Sequence, residues 1–225
     1  MITTYKCNYS DINCNNSNNK IIKVENNFIN RIFFNPDKIN NNKIIFTNES
    51  IYSSSRLKGS KRLIDVINKY YDNSNITITD GTANIGTDAI NLSTVYEKIN
   101  AVEISKINFN ALENNIKAFG LENKINYYNK DINNIIDKLK QDIIYIDAPW
   151  GGPEYKNSNN IKLYLGDVEI VDFYLKNKHK AETFIFKVPY NYDFKNLYKK
   201  VKRNIYKHSY KKGSVIKYYL LVIKK

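Results

Sequence analysis

The stretch Ile143-Ile144-Tyr145-Ile146-Asp147-Ala148-Pro149-Trp150-Gly151-Gly152-Pro153-Glu154-Tyr155 changes character at one residue. Four bulky apolar residues in a row predict a strand buried on both faces, and the chain then meets Asp and Pro, which cannot continue it. In open α/β sheets ligands bind outside the carboxyl ends of such strands, so the loop that follows is a candidate active site. Pro149 and Pro153 hold their own φ and keep Ala148 and Gly152 out of the helical region, which stiffens the loop and leaves carbonyls free of ladder partners. Trp150, the single Trp, stands beside two glycines that let another ring approach closely. It is a stacking platform, or else a side chain folded back over the sheet end.

On either side of this strand the pattern alternates. Strands are predicted at 76–79, 99–102, 124–128, 143–146 and 183–188, with helices at 86–96, 106–119, 132–140, 167–177 and 194–201 between and after them. Two further strands at 205–210 and 215–223 flank the turn Lys211-Lys212-Gly213-Ser214. This alternation predicts an α/β fold with a parallel sheet covered on both faces, closed by an antiparallel hairpin, as in the class I S-adenosylmethionine-dependent (Rossmann-like) methyltransferase sheet. Upstream, 43–47 reads as a strand and 60–71 as a helix, whereas the first 43 residues are rich in Asn, with runs such as 13–19 and 40–42. Residues 1–74 are expected to form an N-terminal extension, an Asn-rich tail followed by a substrate-covering helical segment; residues 75–225 are expected to be the catalytic domain. The apolar patches 21–24 and 28–34 give the tail a way to dock as short elements.

The 225 residues carry a formal net charge of +13, which favours a polyanionic partner, with nucleic acid preferred over an acidic membrane because no basic amphipathic helix stands out. No stretch is apolar and long enough to span a bilayer, and the N-terminus shows neither a signal-peptide core nor an Arg-rich transit pattern. An intracellular, soluble protein is expected, nuclear or cytoplasmic, with a monomer as the preferred state. Cys7 and Cys14, without a second pair or nearby His, support neither a zinc site nor a disulfide framework, so no metal is expected.

Acidic residues end successive strands. Asp80 opens the loop Asp80-Gly81-Thr82-Ala83-Asn84-Ile85-Gly86-Thr87-Asp88, Glu103 ends the second strand about 20 residues on, where doubly wound sites bond a ribose, and Asp131 follows the third. The loop bends at Asn84 and Gly86 but lacks the Gly-x-Gly-x-x-Gly of pyrophosphate binders. An Asp at its start suits a cationic ligand. S-adenosylmethionine, with a sulfonium and an ammonium, fits: Asp80 at its amino-acid end, Glu103 at the ribose hydroxyls, Asp131 near the adenine amine. Asp88 reads as a helix cap or solvated loop residue. His179 and His208 do not converge on the loop, and no histidine base is expected.

Residues 80–155 resemble the trimethylguanosine synthase family, which methylates the 2-amino group of the 7-methylguanosine cap of RNA. The family's Asp-x-x-x-Gly-x-Gly-Gly loop is similar to 80–87, with Asn84 at its first Gly, Gly86 at its second and Thr87 at its third. Its acidic ribose contact falls on Glu103, its Asn-Asn helix on Asn114-Asn115, and its Gly-Asp on Lys130-Asp131. Its Ser-Pro-Pro-Trp-Gly-Gly-Pro-Asp-Tyr signature falls on 147–155, the most specific match. Tyr52-Ser53-Ser54-Ser55 resembles a Phe-Ser-x-Thr segment that approaches the cofactor, which implies a role for Ser55. Asp147 stands where the family has Ser, and Ala148 where it has the first Pro, which brings the loop closer to the Asp-Pro-Pro of many amino-group methyltransferases.

The resemblance implies a capped-RNA substrate and S-adenosylmethionine as cofactor. Asp147 and the Ala148 carbonyl would hold the amine, with Pro149 fixing the turn, and Trp150 would stack on the methylated, cationic base. Arg56, Lys58, Lys61, Arg62, Lys156 and Lys187 are the cations nearest in sequence for the triphosphate bridge, Arg56 and Lys187 foremost. The Asn-, Ile-, Lys- and Tyr-rich composition suits an AT-biased genome, that of a large DNA virus or a protist. Two alternatives stay open: an amino-group methyltransferase on internal adenine or guanine of RNA or DNA, and a catalytically silent methyltransferase fold that binds RNA.

Overall fold

The computed structural model describes residues 19–34, 39 and 41–225. It divides into two compact units, one running through Gln141 and the other Asp142–Lys225. Cys7 and Cys14 lie outside the described residues.

The first unit is built on three parallel strands in the order β3-β4-β5, Thr77–Asp80, Lys98–Glu103 and Ile125–Asn129. Helix α4 (Thr87–Leu92) follows β3, α5 (Lys106–Phe119) follows β4, and α6 (Ile132–Ile135) follows β5. Helix α5 shows why this sequence folds locally as it does. The Ser105 hydroxyl accepts from the Asn108 N–H at its start, Gly120 turns left-handed (φ 65°) at its end, and Phe109, Leu112 and Ile116 bury one stripe. Helix α4 stops four residues short of the predicted 96, because the Ser93 and Thr94 hydroxyls donate to the Ile90 and Asn91 carbonyls and offer the backbone an alternative to a further turn. The helix predicted at 132–140 is α6 and then a single 3₁₀ turn.

The described upstream residues belong to the same unit. Strands β1 (Ile21–Ile22) and β2 (Phe46–Thr47) pair antiparallel, and the same stretch holds helices α1 (Asn26–Ile29), α2 (Ser50–Ser53) and α3 (Leu57–Ile67). The patch at 28–34 docks: Phe33 lies 5.0 Å from the Phe119 ring, and Asn91 donates to the Ile32 carbonyl while accepting from the Phe34 N–H. Asn115 does the same for the Ile45 backbone, taking its N–H and donating to its carbonyl. Two Asn residues of α4 and α5 thus satisfy backbone groups that a loop could not satisfy by itself.

In the second unit β6 (Ile143–Ile146) pairs parallel with β9 (Thr183–Pro189), and every residue of both strands is buried. Strand β11 (Val215–Lys224) runs antiparallel beside β9, and β10 (Ile205–Lys212) antiparallel beside β11 at the sheet edge. Helices α7 (Ile170–Asn177) and α8 (Phe194–Lys200) complete the unit. A two-stranded hairpin, β7 (Tyr164–Leu165) and β8 (Val168–Glu169), turns at Gly166 (φ 65°), so α7 begins three residues later than predicted. Among the described residues no helix is long and apolar enough to cross a membrane, and no group of three or more His, Cys, Asp and Glu is placed to hold a metal ion.

Candidate active site

In the first unit the loop after β3 is held from both sides. Asp80 is 1% exposed, and its carboxylate accepts from the Thr82 N–H at 3.1 Å. Asn84 takes a left-handed φ of 51°, and its N–H donates to Glu103 Oε2 at 2.8 Å. Gly86 has φ 92°, a conformation that favours glycine, and a Cβ there would lie 2.7 Å from Leu112 Cδ1 and push that side chain aside. Thr87, the first residue of α4, is buried, and its hydroxyl has no partner among the described residues.

Glu103 is a strongly perturbed carboxylate. It is 7% exposed and accepts the Ser105 N–H at 2.7 Å on its other oxygen. Burial pushes its pKa up to about 7, against the pull of the Ser105 and Asn84 N–H groups, and the charge of Glu49 raises it further. Glu49 is a group that sequence reasoning missed: it is held by Asn19 and Asn108, at 3.3 and 3.2 Å, across separations no local pattern reveals.

Asp131 caps α6, accepting from the Asn133 N–H and side chain, both at 2.9 Å. Asp88 corrects the expectation of a solvated loop residue or simple helix cap. It is 8% exposed and accepts hydroxyl bonds from Ser55 at 2.7 Å and Ser60 at 2.6 Å, tying the segment before α3 and α3 itself to α4. Ser55, predicted near the cofactor, is therefore a donor to Asp88. Arg56, predicted for the phosphate bridge, is exposed and lays its guanidinium 4.5 Å over the Phe28 ring. The Asn84 side chain donates to Ser53 Oγ at 3.1 Å, which joins α2 to the loop.

In the second unit the register that sets Ile146 against Phe186 carries Asp147, the first residue past β6, to the level of Lys187 within β9. Their side chains meet at 2.6 Å, with 19% and 10% exposed. The Lys187 ammonium also lies 5.9 Å from the Trp150 ring and 5.2 Å from that of Tyr218. Ala148 is buried, Pro149 exposed, and Gly151 and Gly152 turn left-handed (φ 91° and 71°) into a 3₁₀ helix, Gly152–Asn157.

Trp150 is half-buried. Tyr155 meets it edge-on at 5.1 Å and Tyr218 lies tilted at 6.4 Å, while the buried indole N–H has no partner among the described residues. A buried N–H without an acceptor is a place for a ligand oxygen. Tyr218, stacked at 4.6 Å on Tyr210, was not singled out from the sequence, since only strand pairing brings it to this loop.

Residues 76–221 match the model of a family described as RNA cap guanine-N2 methyltransferase. An uncharacterized protein of Acanthamoeba polyphaga mimivirus is 32% identical over 154 residues; the match covers 67% of this chain and 59% of the viral protein, so the chain spans about three fifths of that relative's length. Among solved structures, a T. thermophilus 16S rRNA N2 methyltransferase in complex with AdoMet and guanosine is similar at 15% identity and a TM-score of 0.57, covering 74% of this chain and 42% of that one. A human methyltransferase 10 domain containing protein is similar at 11% identity and a TM-score of 0.58, covering 75% and 81%. At these identities the likeness is one of fold: the chain has the α/β fold of class I S-adenosylmethionine-dependent methyltransferases, with the antiparallel hairpin β10–β11.

Proposed function

The chain belongs to the RNA cap guanine-N2 methyltransferase family, and from that premise we propose that it transfers methyl from S-adenosylmethionine to the exocyclic 2-amino group of the 7-methylguanosine cap of RNA. The observation that carries the reading is the Asp147–Lys187 pair beside Trp150 and its unpartnered indole N–H. An acceptor for amine hydrogens and a stacking face stand together there.

The residues of the first unit fit the cofactor. The buried Glu103 offers a carboxylate to the ribose hydroxyls, Asp80 a negative charge to the ammonium, Asp131 an acceptor for the adenine amine, and the Gly86 turn lets backbone approach closely. The buried, unpartnered Thr87 hydroxyl is a further polar group for it. When bound, S-adenosylmethionine supplies an electrophilic methyl on sulfur. Ser55 acts on this side through Asp88, by fixing the segment that covers the loop. In this reading residues 19–34, 39 and 41–74 are the described part of the substrate-covering extension of a catalytic domain at 75–225.

Asp147 accepts one hydrogen of the 2-amino group and the Ala148 carbonyl the other, with Pro149 fixing their geometry. That orients the nitrogen lone pair, and positioning is what an amine needs from its enzyme, since its proton leaves only as the new bond forms. Lys187 offsets the charge of Asp147 and holds it in place, which makes it a positioning residue, with the substrate phosphate a second partner for it. Trp150 stacks on the base, whose positive charge favours an indole face by about 0.5 to 2 kcal/mol over plain guanine. Capped RNA as substrate implies an intracellular setting.

The test is methyl transfer from labelled S-adenosylmethionine to 7-methylguanosine diphosphate and, in parallel, to guanosine diphosphate. Transfer to the methylated nucleotide alone, lost in Trp150→Ala, is expected. Transfer to neither, with cofactor still bound, overturns the cap reading in favour of an internal base; absence of cofactor binding leaves an RNA-binding fold without catalysis.

A further inference from the structure

The charge of this chain is not evenly spread. Residues 194–225 hold eleven Lys and Arg and no Asp or Glu, whereas residues 1–193 hold 24 basic and 22 acidic residues. A generally Lys-rich solvated surface mixes both signs, as residues 1–193 do. The last 32 residues instead make a field of one sign.

In the structure that segment is α8 and the hairpin β10–β11, with β10 at the sheet edge. Lys199, Lys202, Arg203, Lys207, Lys211 and Lys212 are exposed there. Lys200 bonds Asp172 at 2.7 Å and Lys225 bonds Glu182 at 3.4 Å, but Lys202, Arg203, Lys211 and Lys212 form no ion pair among the described residues. The eight residues of β10 at about 3.3 Å each carry this charge over about 25 Å. Tyr206 is 44% exposed along the same edge.

One end of the edge opens on the platform. A groove of about 580 Å³ is lined by Tyr155, Lys156, Tyr190, Val215, Ile216 and Lys217. Tyr155 is the ring that meets Trp150 edge-on, and Tyr190 lies 6.4 Å from Tyr155 and is 43% exposed. Flat rings with Lys on the rim, continuous with a run of unpaired cations, are the elements of a single-strand binding track, in which bases stack and phosphates are neutralised. A duplex offers no unstacked base to such rings.

We infer that this groove and the β10 edge hold the single-stranded RNA that follows the cap. The first bases enter beside Tyr155 and Tyr190, and the backbone runs from Lys211 and Lys212 toward Lys202 and Arg203. The inference rests on Trp150 as the cap platform and adds the RNA body to the substrate of that site.

The test is fluorescence anisotropy with capped, 3′-labelled RNAs of about two, four and ten nucleotides, lengths that bracket a short single-strand site. The full chain is compared with Lys211→Ala/Lys212→Ala and Lys202→Ala/Arg203→Ala, whose exposed positions leave folding intact by thermal melt. Affinity rises with length, and for the longest RNA log K falls against log salt with a slope of about −3, as for about four phosphates at −0.7 each. The first variant weakens the four- and ten-nucleotide RNAs by about tenfold, and the second weakens only the ten-nucleotide RNA, each lowering the magnitude of the slope by about 1.4, as for two phosphates. Affinity independent of length, or variants acting equally on all lengths, overturns the track. So does a loss of transfer to 7-methylguanosine diphosphate in either variant, which would put these cations at the cap itself. If wild type leaves that nucleotide unmethylated the cap reading fails, while the length and salt dependence of binding still decides the track.

Discussion

Lowering the pH from about 8 to about 6 should weaken cofactor binding about tenfold, through Glu103 alone. Its carboxylate is buried, accepts two backbone N–H groups, and has its pKa pushed up to about 7 by desolvation. In the proposed contact, ribose hydroxyls donate to the ionised form, so ligand binding competes with the proton. With a free-protein pKa near 7, apparent affinity scales as the ionised fraction, which is about nine tenths at pH 8 and one tenth at pH 6. The same shift has a signed effect on folding. Because the folded pKa lies above the ordinary carboxylate value of 4.5, the folded state binds more protons than the unfolded state between the two. Stability without ligand therefore falls by about 3 kcal/mol as pH rises from about 4.5 to about 7, and is flat above. Titration calorimetry with S-adenosylhomocysteine reads the binding part directly: at pH 7 about half a proton is released, seen as a dependence of heat on buffer ionisation enthalpy. Glu103→Gln should bind weakly and without this pH dependence. A wild-type affinity flat between these pH values, or a Glu103→Gln variant that keeps the slope, refutes the reasoning.

Gly86→Ala should cost about 2 to 4 kcal/mol in urea unfolding, part from the left-handed φ and part from the clash with Leu112; adding Leu112→Ala should relieve the clash but not the φ. Lys187→Met should destabilise by about 3 kcal/mol by stranding Asp147, and Lys187→Met/Asp147→Leu should recover most of it in a double-mutant cycle; additive losses would mean that the pair is not coupled. Ser60→Ala should cost about 2 kcal/mol, because the bond it loses is to a buried carboxylate, and in an Asp88→Ala background the same change should cost little.

The local features were legible in the chain because they depend on neighbours. Ile143–Ile146 is a strand because four apolar residues in a row suit a doubly buried position, and Asp80, Glu103 and Asp147 stand at strand ends because the apolar runs stop there. The signature at 147–155 and the Gly120 cap were legible for the same reason. Helix ends were less so: whether Ser93 and Thr94 extend a helix or turn back on its carbonyls is a balance of small local energies.

What the tertiary structure alone decided are the partners. Asp88 reads as an exposed cap until folding brings Ser55 and Ser60, 33 and 28 residues away, onto its two oxygens. The elevated pKa of Glu103 comes from burial, a property of packing rather than of the residue. Lys187 and Tyr218 reach Asp147 and Trp150 through the pairing of β6 with β9 and of β9 with β11, and a slip of one residue in either register would turn them to the opposite face. Periodicity sets which face of an element is apolar, but only the pairing of strands distant in sequence sets which charges and rings meet.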